Sequence, residues 1–255
     1  MTTSHPLPAD YPESIIVTKG IQGLDSGLWI DMIHRRSADV PRAIIKRIEH
    51  YKCTDGFEQE YLAAHIDHPL CMNDDRQVVL FVERTARFDF STILGLSCLP
   101  FTSPVPASDT ISISSPSVKD PIAFIDKEHQ NHILISTIDF SQVDARPTDK
   151  DLSDVLEIAA AQRPSFDIKH QGYWLARLVC DTLYDSFGGQ QTSENAHKHG
   201  YLGALKLPQG DGWNELKSAF IYQRNSEKSM STDREVVPGT DKEASSFRTV
   251  SVVMP

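Results

Sequence analysis

Residues 151 to 189 hold two adjacent helical segments, and this stretch limits the possible folds of the chain more than any other. The first segment opens with Thr148 and Asp151, which have the spacing of a capping box. In that arrangement a hydroxyl and a carboxylate accept amide hydrogens that a helix start leaves unpaired. Apolar residues then recur every three or four positions as far as Ala159, and Pro164 interrupts the pattern. The sequence therefore predicts a helix with one buried face.

The second segment carries a wider apolar stripe, which runs from Trp174 to Phe187. Trp174 is expected to anchor this helix by packing. Cys180, in the middle of the stripe, is expected to be a small core residue. Gly188 and Gly189 supply the left-handed conformation that ends a helix. Together the two segments predict a helical pair joined by a tight turn.

Three runs before the helical pair are rich in branched and aromatic residues and are separated by turn-forming residues. They are residues 43–51, 58–67 and 77–84. Their order predicts an antiparallel meander, with further strands at 121–126, 132–140 and 201–207 and a helix at 214–222. The predicted fold class is α+β, an antiparallel β-sheet packed against the helical pair.

Composition sets the expected domain limits. Residues 1–12 are polar and carry three prolines, which predicts a flexible N-terminal arm. Residues 13–225 are expected to form a single α+β domain. Within it, residues 88–118 are rich in serine, proline and threonine and predict a loose insertion. Residues 226–255 are expected to be a largely flexible C-terminal tail.

Charge and cysteine usage exclude several classes of function. The formal net charge of −10 disfavours nonspecific binding to nucleic acid. The four cysteines are irregularly spaced, which argues against a structural zinc site. Neither a signal peptide nor a stretch of membrane-spanning length is recognisable. We therefore expect a soluble cytoplasmic protein that binds neither membranes nor nucleic acid.

Three short motifs carry a resemblance to a known family. They read Gly56-Phe57-Glu58-Gln59-Glu60-Tyr61-Leu62, Phe81-Val82-Glu83-Arg84 and Gln171-Gly172-Tyr173-Trp174-Leu175-Ala176. Across residues 43 to 222 the chain resembles a large family of uncharacterised proteins from mushroom-forming fungi, the basidiomycetes. That family in turn resembles circularly permuted papain-like proteins, such as lecithin retinol acyltransferase and the permuted NlpC-type hydrolases.

The resemblance implies a catalytic pair that this chain lacks. The family pattern has a cysteine at the helix start, where free amides stabilise a thiolate, and a histidine base on a strand. Here Gly172 and Gln59 occupy those two positions. The resemblance thus implies a noncatalytic binding or regulatory protein on a degenerate permuted papain-like scaffold. It would bind an unknown small molecule or protein without a cofactor. The residues expected to line the cleft are Gln59, Tyr61, His65, Gln171, Gly172 and Tyr173.

Two enzymatic alternatives remain open. His65 and Asp67 have the His-x-Asp spacing of non-haem iron oxygenases. His197 or His199 would then be the third ligand, and Arg224 would bind a co-substrate carboxylate. Alternatively, an unrecognised active site lies in the same cleft, and its candidate catalytic residues are His65, His170 and Gln171.

Overall fold

The computed structural model describes residues 20–37, 41–54, 60–67, 78–85, 108–115, 118, 120–123, 131–161, 171–195, 197, 201–202, 205–206 and 213–234. The chain divides into two compact units, Met1–Phe220 and Ile221–Pro255. The predicted N-terminal arm lies outside the described residues, as do Gln59, His170 and His199. No described helix is long and apolar enough to cross a membrane.

The first unit is built on a seven-stranded antiparallel sheet, which confirms the predicted α+β class. Its strands are β1 Ile21–Asp25, β2 Ile44–Cys53, β3 Glu60–Asp67, β4 Val78–Thr85, β5 Ser108–Ser114, β6 His132–Asp139 and β7 Gln190–Ser193. Their order across the sheet is β1-β5-β4-β3-β2-β6-β7. The predicted meander is therefore the sheet centre, and β3 is the middle strand. Two short strands, β8 Tyr201–Leu202 and β9 Leu205–Lys206, form a separate hairpin.

Strand β5 lies where the sequence predicted a loose insertion, so that prediction is wrong for residues 108–114. Ile111 and Ile113 are buried, and hydroxyl residues alternate with them. Serine and threonine made the segment resemble a loop, but their alternation with isoleucine gives one apolar face. The strand pairs with β4 and β1, and β1 is distant in sequence.

The helices are α1 Ser26–His34, α2 Asp149–Ala161, α3 Gln171–Phe187 and α4 Trp213–Arg234. Helix α1 starts where the side chain of Asp25 accepts the amides of Gly27 and Leu28. The predicted capping box of α2 is confirmed: the Thr148 amide donates to Asp151 at 2.8 Å, and the Asp151 amide donates to the Thr148 hydroxyl at 3.3 Å.

The end of α3 is also confirmed. Gly188 and Gly189 have φ angles of 75° and 118°, and the Gly188 amide donates to the Tyr184 carbonyl. Three other predictions fail. Residues 121–123 are helical rather than extended, α4 continues beyond the predicted end at residue 222, and it extends to Arg234, into the predicted flexible tail. Residues 190–193, for which no strand was predicted, form an edge strand.

Helices α1, α2 and α3 cover one face of the sheet, and the main core lies between them. Leu62, Ala64 and Ile66 of β3 belong to this core together with Trp174 and Leu178 of α3. The intervening β3 residues point the other way. A second, smaller cluster on that opposite face contains Tyr51, Cys53, Tyr61, Ala63, Val79 and Phe81.

Candidate functional site

Four charged residues cross the sheet on the face that α3 covers. Lys52 of β2 is the register partner of Glu60 of β3, and Arg84 of β4 is the partner of Asp109 of β5. The β3–β4 register places Arg84 beside Glu60. We call this set the charged row: Lys52, Glu60, Arg84 and Asp109.

Three of the four side chains in the charged row are buried, which is unusual for ionisable groups, and the fourth, Asp109, is 10% exposed. Lys52, Glu60 and Arg84 are 4%, 2% and 5% exposed. Removing charges from water is costly unless opposite charges and hydrogen bonds compensate. Because positive and negative groups alternate from strand to strand, each charge in the row has an opposite neighbour.

His50 extends the charged row along β2. Its Nε2 lies 2.7 Å from Oε2 of Glu60, and both side chains are at most 3% exposed. A buried imidazole and carboxylate at this distance can exchange a proton, so the pair has the elements of an acid–base dyad.

Cys180 is the thiol that α3 contributes to this face. Burial raises the pKa of its thiol, and the negative charges of Asp181 and Glu60 raise that pKa further. Cys180 also lies in the middle of a helix, where backbone amides are already bonded. The thiol is therefore neutral at physiological pH and unsuited to nucleophilic attack. The structure confirms the prediction of a buried core cysteine.

Arg84 connects the charged row to the start of α3. Its Nε and Nη2 lie 2.5 and 2.6 Å from the two carboxylate oxygens of Asp109, a bidentate arrangement. Its guanidinium carbon lies 5.3 Å from the ring centroid of Trp174, the fourth residue of α3. This cation–π contact holds the first turn of the helix over β4.

A second polar group occupies the opposite face of the sheet and centres on Glu49. One carboxylate oxygen lies 2.8 Å from His65 Nε2 and accepts from the Tyr51 hydroxyl at 3.0 Å. The other oxygen lies 3.1 Å from Arg47 Nε. Burial raises the pKa of Glu49, but the hydrogen bond and charge of His65, the charge of Arg47 and the Tyr51 hydrogen bond outweigh burial and lower it.

Aromatic rings adjoin this second group. Tyr51 and Tyr61 stack with centroids 5.3 Å apart, and His132 meets Tyr51 edge-on at 5.0 Å. Edge-to-face and offset stacking are the favoured aromatic geometries. The group is thus a well-packed network in which His65 is already held by its neighbours.

Of the predicted cleft residues on β3 that the structure describes, Tyr61 and His65 share one face of the strand, but α3 packs on the other face. Glu60 is the polar residue of β3 that faces α3. The backbone of Gln171, Gly172 and Tyr173 forms the first turn of α3, as predicted.

The hypothesis that His65 and Asp67 bind iron stays a prediction. His65 Nε2 lies against Glu49, and Asp67 forms an ion pair with Lys46 at 3.0 Å. His197 is exposed. Within the described part of the chain, the one group of three side chains close enough to share a metal ion is elsewhere, at His34, Asp154 and Glu157.

Neither His50 nor the charged row was predicted from the sequence. A signal was present, because Glu60 falls on the same alternating set as Leu62, Ala64 and Ile66. A charge in an otherwise apolar set indicates a buried polar site. Arg84 likewise belongs to the alternating set of Leu80 and Val82.

Comparisons with protein-family models, curated proteins and solved structures found no match to this chain.

Proposed function

We propose that this protein is a noncatalytic binding protein on a degenerate permuted papain-like scaffold, in which Gly172 and Gln59 replace the nucleophile and the base. The observation that carries the proposal is the start of α3 at Gln171, which puts Gly172 in the first helical turn. The resemblance requires the reactive cysteine in that turn. A glycine there leaves the amide donors of the helix start in place and removes the nucleophile.

The neighbouring thiol supports a binding role. Cys180 is buried, and its raised thiol pKa keeps it protonated. It therefore does not replace the missing cysteine.

The first turn of α3 is the proposed binding position. Amide hydrogens of a helix's first turn lack partners within the helix and favour anionic groups. Trp174, stacked on Arg84, fixes this turn against the sheet. Because the resemblance includes an acyltransferase, the carboxylate of a short acyl chain is the first ligand to test.

Binding is tested with octanoate by isothermal titration calorimetry, and octanol, which lacks the charge, is the matched ligand control. Gly172→Pro is the informative variant, because proline is tolerated in a first turn yet removes one amide donor. The proposal predicts that octanoate binds, that octanol does not, and that Gly172→Pro weakens octanoate binding about tenfold, equivalent to about 1.4 kcal/mol. Equal octanoate affinity in wild type and Gly172→Pro would contradict binding at the first turn of α3.

The proposed loss of thiol catalysis is tested separately. The full chain is treated with a thiol-reactive acyl probe and then analysed by mass spectrometry. We expect no selective labelling of the native protein at Cys180. Rapid labelling of Cys180, or turnover of the probe, would show that thiol chemistry is retained. The unfolded protein, in which all four cysteines are accessible, is the positive control.

A further inference from the structure

We propose a zinc-binding site between α1 and α2, formed by His34, Asp154 and Glu157. His34 is the last residue of α1, and the two acids are one turn apart on the facing side of α2. The site is independent of the proposed binding function, since it uses neither the charged row nor the first turn of α3.

The geometry suits one small cation. One donor atom from each of the three side chains can be chosen so that all lie within 4.8 Å of one another. His34 Nε2 is 3.0 Å from an Asp154 oxygen, and His34 Nδ1 is 3.9 Å from a Glu157 oxygen. Zinc binds nitrogen and oxygen at about 2.0–2.2 Å, which in a tetrahedron separates its ligand atoms by roughly 3.3–3.6 Å. One ion takes one ring nitrogen, so a cation held by His34 Nε2 and Asp154 requires the exposed Glu157 side chain to rotate from the Nδ1 side of the ring towards Nε2.

A supporting contact outside the triad fixes the buried ligand. The second oxygen of Asp154 lies 2.7 Å from Lys150 Nζ, which leaves the first oxygen directed at His34. Carboxylates that ligate metals are commonly oriented by such a hydrogen bond. Asp154 is 8% exposed in its side chain, whereas His34 and Glu157 are 30% and 55% exposed. The site is therefore rigid on its inner side and open to solvent on its outer side.

The donor set favours zinc. An imidazole with two carboxylates matches the nitrogen and oxygen ligands of zinc sites with three protein ligands and one water. Calcium and magnesium prefer oxygen alone. The two carboxylates and Lys150 carry a net charge of −1, so a divalent cation relieves the repulsion between the acids.

The test is calorimetric titration of Zn²⁺ into the full chain after EDTA dialysis, at about pH 7. His34→Ala and Glu157→Gln remove one ligand each. Loss of the His34–Asp154 contact could destabilise His34→Ala. Glu157 is largely exposed, so Glu157→Gln is expected to keep the fold. Asp31→Asn is the matched control, because it removes an exposed acid of α1 that lies outside the triad.

We expect one zinc ion per chain, with binding at least about tenfold weaker in both ligand variants and unchanged in Asp31→Asn. Cobalt in place of zinc should give the strong visible absorption of a four-coordinate site, which Glu157→Gln loses. The proposal is overturned by wild-type binding weaker than about 0.1 mM. It is equally overturned if zinc affinity is the same in wild type, His34→Ala and Glu157→Gln.

Discussion

His50 Nε2 and Glu60 Oε2 lie 2.7 Å apart beneath α3, and both side chains are almost completely buried. They belong to the adjacent central strands β2 and β3. On the other face of the same two strands, His65 and Glu49 form a second imidazole–carboxylate contact. The two central strands therefore carry a buried imidazole–carboxylate contact on each face, and these contacts shape how the protein responds to substitution and to pH.

The buried dyad should be strongly coupled. His50→Ala leaves the Glu60 carboxylate without its imidazole partner, and we expect a loss of about 3 kcal/mol in the free energy of unfolding. A double-mutant cycle with Glu60→Gln, followed by urea unfolding, should give a coupling energy above about 1 kcal/mol. The exposed pair Asp31–Arg35 is the matched control, for which we expect less than about 0.5 kcal/mol. Similar coupling in the two cycles would contradict this view of the dyad.

Arg84 should not tolerate lysine. Lysine keeps the positive charge but loses the bidentate contact with Asp109 and the planar stacking on Trp174. Arg84→Lys is expected to lower the free energy of unfolding by about 2 kcal/mol. The same change at the exposed Arg35 should have an effect below about 0.5 kcal/mol. Urea unfolding of both variants measures the difference, and equal effects at the two positions would rule out this role for Arg84.

Ionised Glu49 should make the free energy of unfolding fall more steeply as the pH is lowered. Its folded-state pKa is lowered below 4.5, so its ionised form stabilises the fold above that pH. This contribution is lost as the pH falls below about 4.5 and through the folded-state pKa. The free energy of unfolding should therefore fall less steeply below about pH 4.5 in Glu49→Gln than in wild type. His65→Ala should flatten the curve in the same direction. Superimposable slopes in all three proteins would be inconsistent with the contacts of Glu49.

Gly188 and Gly189 offer a matched pair at the end of α3. Both have positive φ, but only at Gly189 does an added Cβ come within 2.9 Å of a backbone oxygen, that of Asp139. Gly188→Ala should cost about 1 kcal/mol, the usual left-handed penalty. Gly189→Ala should cost more, about 3 kcal/mol, because strand β6 must also shift. Thermal or urea unfolding tests this, and equal costs would show that the backbone relaxes freely there.

Local signals explain why the helical pair was predictable. The reciprocal hydrogen bonds of Thr148 and Asp151 and the positive φ of Gly188 depend on neighbouring residues only. The alternation that put Tyr61 and His65 on one face also follows from strand geometry. Such features follow from the local sequence, without reference to distant residues.

The missed features depend on distant partners. Alternation shows which side chains share a face, but it does not show which face a helix will cover, so His65 was grouped with the start of α3. Glu60 was overlooked because its partners, His50 and Lys52, come from another strand. Strand β5 was missed because the apolar residues Ile111 and Ile113 are few, and its pairing with β1 joins segments far apart in sequence.

The central claim is that Gly172 occupies the position of a lost, helix-activated nucleophile. The most direct measurement is the thiol pKa of Gly172→Cys, from the pH dependence of iodoacetamide labelling in a Cys71→Ser, Cys98→Ser background. Ala160→Cys, exposed near the end of α2, is the matched control. We predict a pKa at least about one unit below the ordinary thiol value of about 8.5 for position 172 and no such decrease at position 160. Equal pKa values at the two positions would contradict the claim.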